Sequence, residues 1–269
     1  MKALVVVAAC IAVAACTPRQ SQGSGGILKC ERRLPALVPQ LHAGTFVWFG
    51  EMHGTDESPR FVGDAVCEAA RVSKVQLGLE IWHSEQAAID RYLSDGKRDK
   101  LLAGPFWATN DGRSSTAMVA LLDRVRALRK AGARIQVIAY DVPEAADRDF
   151  EMAKTALAAR DALAIYVGLS GNIHSRRIKG TPWNKDLVPM VAHIAEAGPR
   201  VVTYDVSASG GEMWACMATA DHEPECGVHP NSDTANGATP WTLGPAKDAA
   251  HDGVYYVGVT KAALPAKPN

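Results

Sequence analysis

Four short stretches carry residues whose types and spacing could do chemistry. Gly50-Glu51-Met52-His53-Gly54-Thr55 sets a carboxylate and an imidazole either side of one methionine, between glycines. Leu79-Glu80 adds a second carboxylate, Tyr140-Asp141 a third, and Gly171-Asn172-Ile173-His174 a second imidazole. Two imidazoles and two carboxylates that meet at one point have two uses. They can hold a divalent ion with mixed nitrogen and oxygen donors and leave a position for water. Alternatively, a carboxylate can fix a neutral imidazole that activates water directly. Both routes end in hydrolysis. The flanking glycines allow close backbone approach at Glu51 and His53. The plainer reading makes Glu51 a helix cap and His53 and His174 loop residues. His42, His83, His193 and His251 lack such neighbours and read as structural.

These groups can meet only if the chain delivers them to one edge. Each stretch follows a short apolar run of strand character: Phe46 to Phe49, Val75 to Leu79, Ile135 to Tyr140 and Ala164 to Leu169. Helical patterns separate the runs, at about Pro59 to Ser73, Ser84 to Leu93, Ser115 to Ala131, Ala145 to Ala159 and Lys185 to Ala197. A fifth strand is expected from Val201 to Val206, and further strands at Met213 to Met217 and Val254 to Val259. Strands alternating with helices imply an α/β fold with a mostly parallel central sheet flanked by helices on both faces. No strong helix parts the last two strands, which leaves the C-terminal edge open to antiparallel pairing. The units are too few for a closed eight-stranded barrel. In open α/β sheets ligands bind beyond the carboxyl ends of the strands, where all four stretches fall.

Together the stretches resemble a superfamily of ChaN-like haem-binding lipoproteins, Tiki/TraB proteases and erythromycin esterases. The likeness spans about Phe46 to Val259 and includes Asp252-Gly253-Val254-Tyr255-Tyr256 as the last strand. It implies that Glu51, His53, Glu80 and His174 are the catalytic residues, or the ligands of a metal. It adds Arg60 and Asn172 as substrate contacts. Erythromycin esterases place two residues between the Glu and the His, where this chain has only Met52, so its spacing is nearer the ChaN and Tiki type. Tiki proteases use a metal, ChaN-like proteins bind haem and the esterases act without metal. The expected cofactor is therefore a divalent ion (Mn, Fe or Zn) or haem. In a non-catalytic haem or iron binder, Tyr140 or His83 would serve as axial ligand.

The loop Phe106-Trp107-Ala108-Thr109-Asn110-Asp111-Gly112-Arg113-Ser114-Ser115 has two readings. It is a substrate-facing lid, with Trp107 as apolar wall and Arg113 as anion contact. Or it is a turn at Asp111-Gly112 followed by a Ser114 or Ser115 helix cap. Gly168-Leu169-Ser170-Gly171-Asn172 fails the serine-hydrolase elbow, because Asn172 replaces its second glycine.

The chain has 269 residues with 29 basic and 29 acidic side chains, 47% apolar and 22% charged. Such a balance excludes a disordered chain and argues against a nucleic-acid partner. Lys2 precedes an apolar run from Ala3 to Cys16, shorter than the roughly 20 residues of a membrane-spanning helix. Val13-Ala14-Ala15-Cys16 resembles a bacterial lipobox. Residues 1–15 are then a signal peptide, Cys16 is lipidated, residues 16–27 form a flexible tether and residues 28–269 one α/β domain. Thr17 after that cysteine resembles signals for the outer membrane, facing the periplasm. The expected partners are a membrane, through the lipid anchor, and a small-molecule or peptide substrate. Cys30, Cys67, Cys216 and Cys226 suit two disulfides in an oxidising compartment. Of three pairings, the local Cys216–Cys226 is favoured, leaving Cys30–Cys67.

Overall fold

The structure is a computed structural model that describes residues 28–181, 183–219, 222–235 and 237–267. The expected signal peptide, Cys16 and the tether lie outside the described residues. Strands β1 (Phe46–Glu51), β2 (Val75–Trp82), β3 (Ile135–Asp141) and β4 (Ile165–Gly171) alternate with helices α1 (Glu57–Val72), α2 (Gln86–Asp95), α3 (Arg98–Leu101), α4 (Thr116–Lys130) and α5 (Arg148–Ala158). Helix α6 (Met190–Glu196) then leads to β5 (Val201–Thr219), β6 (His222–Pro230), β7 (Thr242–Pro245) and β8 (Gly253–Thr260). The sheet runs β3-β2-β4-β1-β5-β8-β7, with β6 paired to β5. All pairs from β3 to β8 along that order are parallel, and β7 is antiparallel to β8, as the missing helix implied.

Central β1 is buried along its whole length, which is why its apolar run shows no alternation. Its side chains divide two cores. Val47 and Phe49 join Leu77, Leu79 and residues of α1, α2 and α4 on one face. Phe46 and Trp48 join Tyr166, Met152 of α5 and Ile194 of α6 on the other. The second core is aromatic: Phe46 stacks on Tyr166 with ring centroids 4.4 Å apart. A Cβ on Gly168 would lie 2.4 Å from the Trp48 ring, so this strand glycine makes room for an indole.

Element ends differ from expectation for local reasons. Helix α5 starts at Arg148 rather than Ala145, because the Asp147 side chain accepts the Phe150 N–H at 3.1 Å and caps it there. Helix α6 starts at Met190 rather than Lys185, because Pro189 restricts the residue before it and takes the N-cap. Met213 to Met217 is no separate strand but the outer half of β5. Gly210 and Gly211, at φ +76° and +109°, turn β5 away from β8, and its outer half pairs antiparallel with β6. Both expected disulfides form: Cys30–Cys67 ties the N-terminal segment to α1, and Cys216–Cys226 crosses the β5–β6 hairpin.

Cys30–Cys67 closes a loop with sequence separation 37 and packs against the first core. Replacing both cysteines by alanine is expected to lower stability by about 3–4 kcal/mol, the loop-closure entropy for that length, read as a fall in the urea midpoint.

Candidate functional site

Each parallel strand ends by handing a polar side chain to the same rim. Glu51 closes β1, and the turn after it brings His53 back so that Nδ1 lies 2.9 Å from Glu51 Oε1. Glu51 is buried and accepts there, so His53 carries its proton on Nδ1 and leaves Nε2 unprotonated in the neutral ring. Glu51 Oε2 has no hydrogen-bond partner among the described residues. His53 Nε2 faces Glu80 Oε2 of β2 at 3.5 Å. Across the rim, His174 just after β4 donates Nδ1–H to Asp149 Oδ1 at 2.7 Å. Asp149 also accepts the Met190 N–H at the start of α6. His174 Nε2 lies 4.0 Å from Glu80 Oε1. Two imidazoles, each held from behind by a carboxylate, thus turn their Nε2 atoms to one acid.

Two guanidinium groups hold that acid. Arg148 Nη2 donates to Glu80 Oε1 at 2.7 Å, and Arg113 Nη1 approaches the same oxygen at 3.3 Å. Gly171 N–H donates to the other oxygen at 2.8 Å. Both arginines also bind Asp141 at the end of β3, each at 2.8 Å. Asp111 takes the Arg113 Nε–H at 3.0 Å, and Arg148 Nη1 donates to His174 Nε2 at 3.2 Å. Glu80 and Asp141 are almost wholly buried, whereas the side chains of Arg148, His53 and His174 are 29%, 26% and 18% exposed, so solvent reaches the rim at these three.

The charges follow from this packing. Burial works against the ionised Glu80, but His53, His174, Arg113 and Arg148 hold its carboxyl well below the usual range. Burial would lower the His53 value, yet the charge of Glu80 and the hydrogen bond and charge of Glu51 raise it above the ordinary one. Burial pushes Glu51 upward, opposed by its hydrogen bond to His53.

Of the residues expected in the site, Glu51, His53, Glu80, His174 and Arg113 come together. Asn172 lies at the rim, its backbone N–H on Glu51 O at 2.9 Å. Arg113 binds three protein carboxylates rather than standing free for an anion. Arg60 lies elsewhere: it pairs with Glu31 at the surface, its guanidinium 5.9 Å from the centre of the Trp241 ring. Trp107 is fully buried against Phe106 and forms no open wall, while Ser115 caps α4. The loop is therefore both a helix cap and the carrier of Arg113. Arg148, Asp149 and Asp111 were not expected. The available signal was Asp147-Arg148-Asp149 at the carboxyl end of β3, obscured by placing α5 too early.

The donors do not fit a divalent ion. Among the described residues no three His, Cys, Asp or Glu side chains are placed to share one. Arg148 occupies the space between Glu80 and His174, where a cation would have to sit. The two residues expected as axial haem ligands differ in access. Tyr140 is fully buried with its hydroxyl on Leu169 O at 2.6 Å, and His83 is exposed with Nδ1 3.0 Å from Ala139 O.

No protein-family model matches the sequence, and no curated protein matches it. Among solved structures, erythromycin esterase EreC in an open conformation superposes with TM-score 0.64, covering 87% of this chain and 95% of that one at 12% identity. The fold of this chain is that of erythromycin esterase. A Bacillus cereus protein superposes with TM-score 0.63, covering 87% of this chain and 93% of that one at 14% identity. A ChaN of Campylobacter jejuni that binds haem cofacially overlaps less, with TM-score 0.40, 64% of this chain, 84% of that one and 11% identity. That fold is one of those named by the resemblance of the stretches around Glu51, His53, Glu80 and His174, although the Glu51–His53 spacing is nearer the ChaN and Tiki type.

His53 is expected to titrate above the ordinary value of about 6.5, and Glu51→Gln to lower it, both read by NMR of the ring carbons. With the folded value raised, the stability His53 contributes is complete below about pH 6.5 and is lost as pH rises through the folded value. The urea midpoint should therefore fall across that interval, and less so in His53→Ala.

Proposed function

We propose that this chain is a hydrolase of small-molecule esters in which His53 activates water without a bound metal. The observation that carries this reading is the pair of carboxylate-backed imidazoles turned to Glu80. EreC, an erythromycin esterase by name, supports an ester or lactone as the bond cleaved. The single residue between Glu51 and His53 separates this chain from the esterase spacing, and a macrolide is not part of the proposal.

Neutral His53 keeps Nδ1–H on Glu51 and offers the Nε2 lone pair to water. As water oxygen bonds to the ester carbonyl carbon, Nε2 takes its proton. The positive charge of Arg148, whose side chain is 29% exposed, stabilises the oxyanion that develops. When the tetrahedral intermediate collapses, the carbon–oxygen bond to the alcohol breaks and the proton on His53 passes to the leaving oxygen. A carboxylic acid and an alcohol result, and the imidazole returns neutral. Protonated His53 would instead point Nε2–H at Glu80, so the rate should rise with pH through the His53 titration.

With p-nitrophenyl and lactone esters as probes, His53→Ala is expected to lower kcat/KM by about 10³-fold, the scale of one general base. Dialysis against a chelator should leave the rate unchanged. Full activity in His53→Ala and His174→Ala would overturn the assignment.

We also propose that the mature chain is tethered to the bacterial envelope through lipidated Cys16, facing the periplasm and a small-molecule or peptide substrate. Expressed from its full sequence in a bacterial host, the protein should partition with membranes and take up labelled palmitate. Cys16→Ser should move it to the soluble or uncleaved form and abolish the label. Equal labelling of both proteins would refute the anchor.

A further inference from the structure

The outer half of β5 leaves the sheet at Gly210 and Gly211 and forms a hairpin with β6, crossed by Cys216–Cys226. Trp214 stands at the root of this hairpin, two residues from the disulfide. Its backbone N–H donates to Gly54 O at 2.8 Å, in the turn that carries His53. Its indole Nε1–H donates to Asn110 O at 2.8 Å, in the loop that carries Arg113.

The fit around its carbonyl is equally close. A Cβ on Gly54 would lie 1.9 Å from Trp214 O, and one on Gly112 would lie 2.9 Å from the same oxygen. Gly54, Asn110 and Gly112 all take the left-handed backbone, at φ +77°, 55° and +89°. Asn110 is one of two non-glycine residues that do so among those described. These conformations persist where the surroundings hold them. Here one residue touches all three, and Arg113 follows Gly112 directly.

We propose that Trp214 is a positioning residue, which locks the His53 turn and the Arg113 loop to each other from the root of a disulfide-clamped hairpin. The proposal rests on the hydrolase reading and adds to it a control point outside the four strand-end stretches. Arg113 reaches Glu80 and Asp141 only while Asn110 and Gly112 keep their backbone, and His53 sits correctly only while Gly54 does. The hairpin therefore sets the distance between His53 and the ionised Glu80 that Arg113 holds opposite it. The clamp holds β6 opposite β5, with Val228 across from Trp214 and Cys226 across from Cys216.

Trp214→Phe keeps a ring in place and removes the indole N–H. It should lower kcat about tenfold while KM stays within about twofold, the pattern of lost orientation rather than lost binding. In the same variant the Arg113 Nε–H, protected by Asp111, should exchange with solvent about tenfold faster, followed by ¹⁵N NMR. Cys216→Ser with Cys226→Ser should move both readouts the same way, and serves if a tryptophan variant folds poorly. Unchanged kcat and exchange in Trp214→Phe would overturn the proposal. So would a rise in KM alone, which would make Trp214 a substrate contact. The exchange measurement needs no substrate. A chain that cleaves no ester but shows faster exchange would refute the hydrolase reading and leave the positioning role standing.

Discussion

A buried carboxylate between two guanidinium groups is the interaction on which the rim depends. Removing Glu80 from water costs several kcal/mol even after the protein relaxes. One opposite charge at about 4 Å returns about 4 kcal/mol at an effective dielectric near 20. A single arginine would barely offset the burial. Arg113 and Arg148 together, with the Gly171 N–H, exceed it, and Glu80 stays ionised. Everything else on the rim takes its charge from that result. His53 is raised because an ionised Glu80 faces it, and the two arginines keep their angles because Asp141 holds their other edges.

The same network bears on the choice between metal and imidazole chemistry. Glu80 and His174 face each other closely enough to share a cation. Arg148 already supplies that cation, as a planar group with fixed hydrogen-bond directions rather than a sphere with exchangeable ligands. A second positive charge at that point would face two guanidinium groups. His53, whose side chain is 26% exposed and whose Nε2 faces Glu80, is the base of the proposed hydrolysis. The proposal of imidazole over metal chemistry thus rests on Arg148 filling the centre, although the outer residues would suit either case.

Much of this was legible in the sequence because it rests on period and punctuation. Buried parallel strands read as unbroken apolar runs, and the polar residue that ends each run marks the rim, so Glu51, Glu80, Asp141 and His174 could be placed without coordinates. Cys216 and Cys226 are near enough in sequence to suggest their bond, and the other pair followed. Arg148 and Asp149 were not legible. Their role depends on α5 beginning at an Asp147 cap three residues later than helical periodicity alone places it, which rotates both side chains toward the rim. Arg60 failed for the opposite reason. It sits in the first turn after the His53 loop, as a site residue would, but that turn faces Glu31 and Trp241.

Trp214 shows a further limit. Its hydrogen bonds reach Gly54 and Asn110, more than a hundred residues away in the chain, and no pattern within β5 announces them. Two of the three residues it touches are glycines, for which a turn alone would be sufficient explanation. Asn110 is different. Asparagine tolerates the left-handed region better than most residues but still at some cost, and here its carbonyl receives the indole N–H. An isolated turn could relax out of that conformation, whereas this one is held by a strand on the far side of the sheet. The geometry that matters for chemistry is fixed across the fold, by a hairpin whose own two strands are joined covalently.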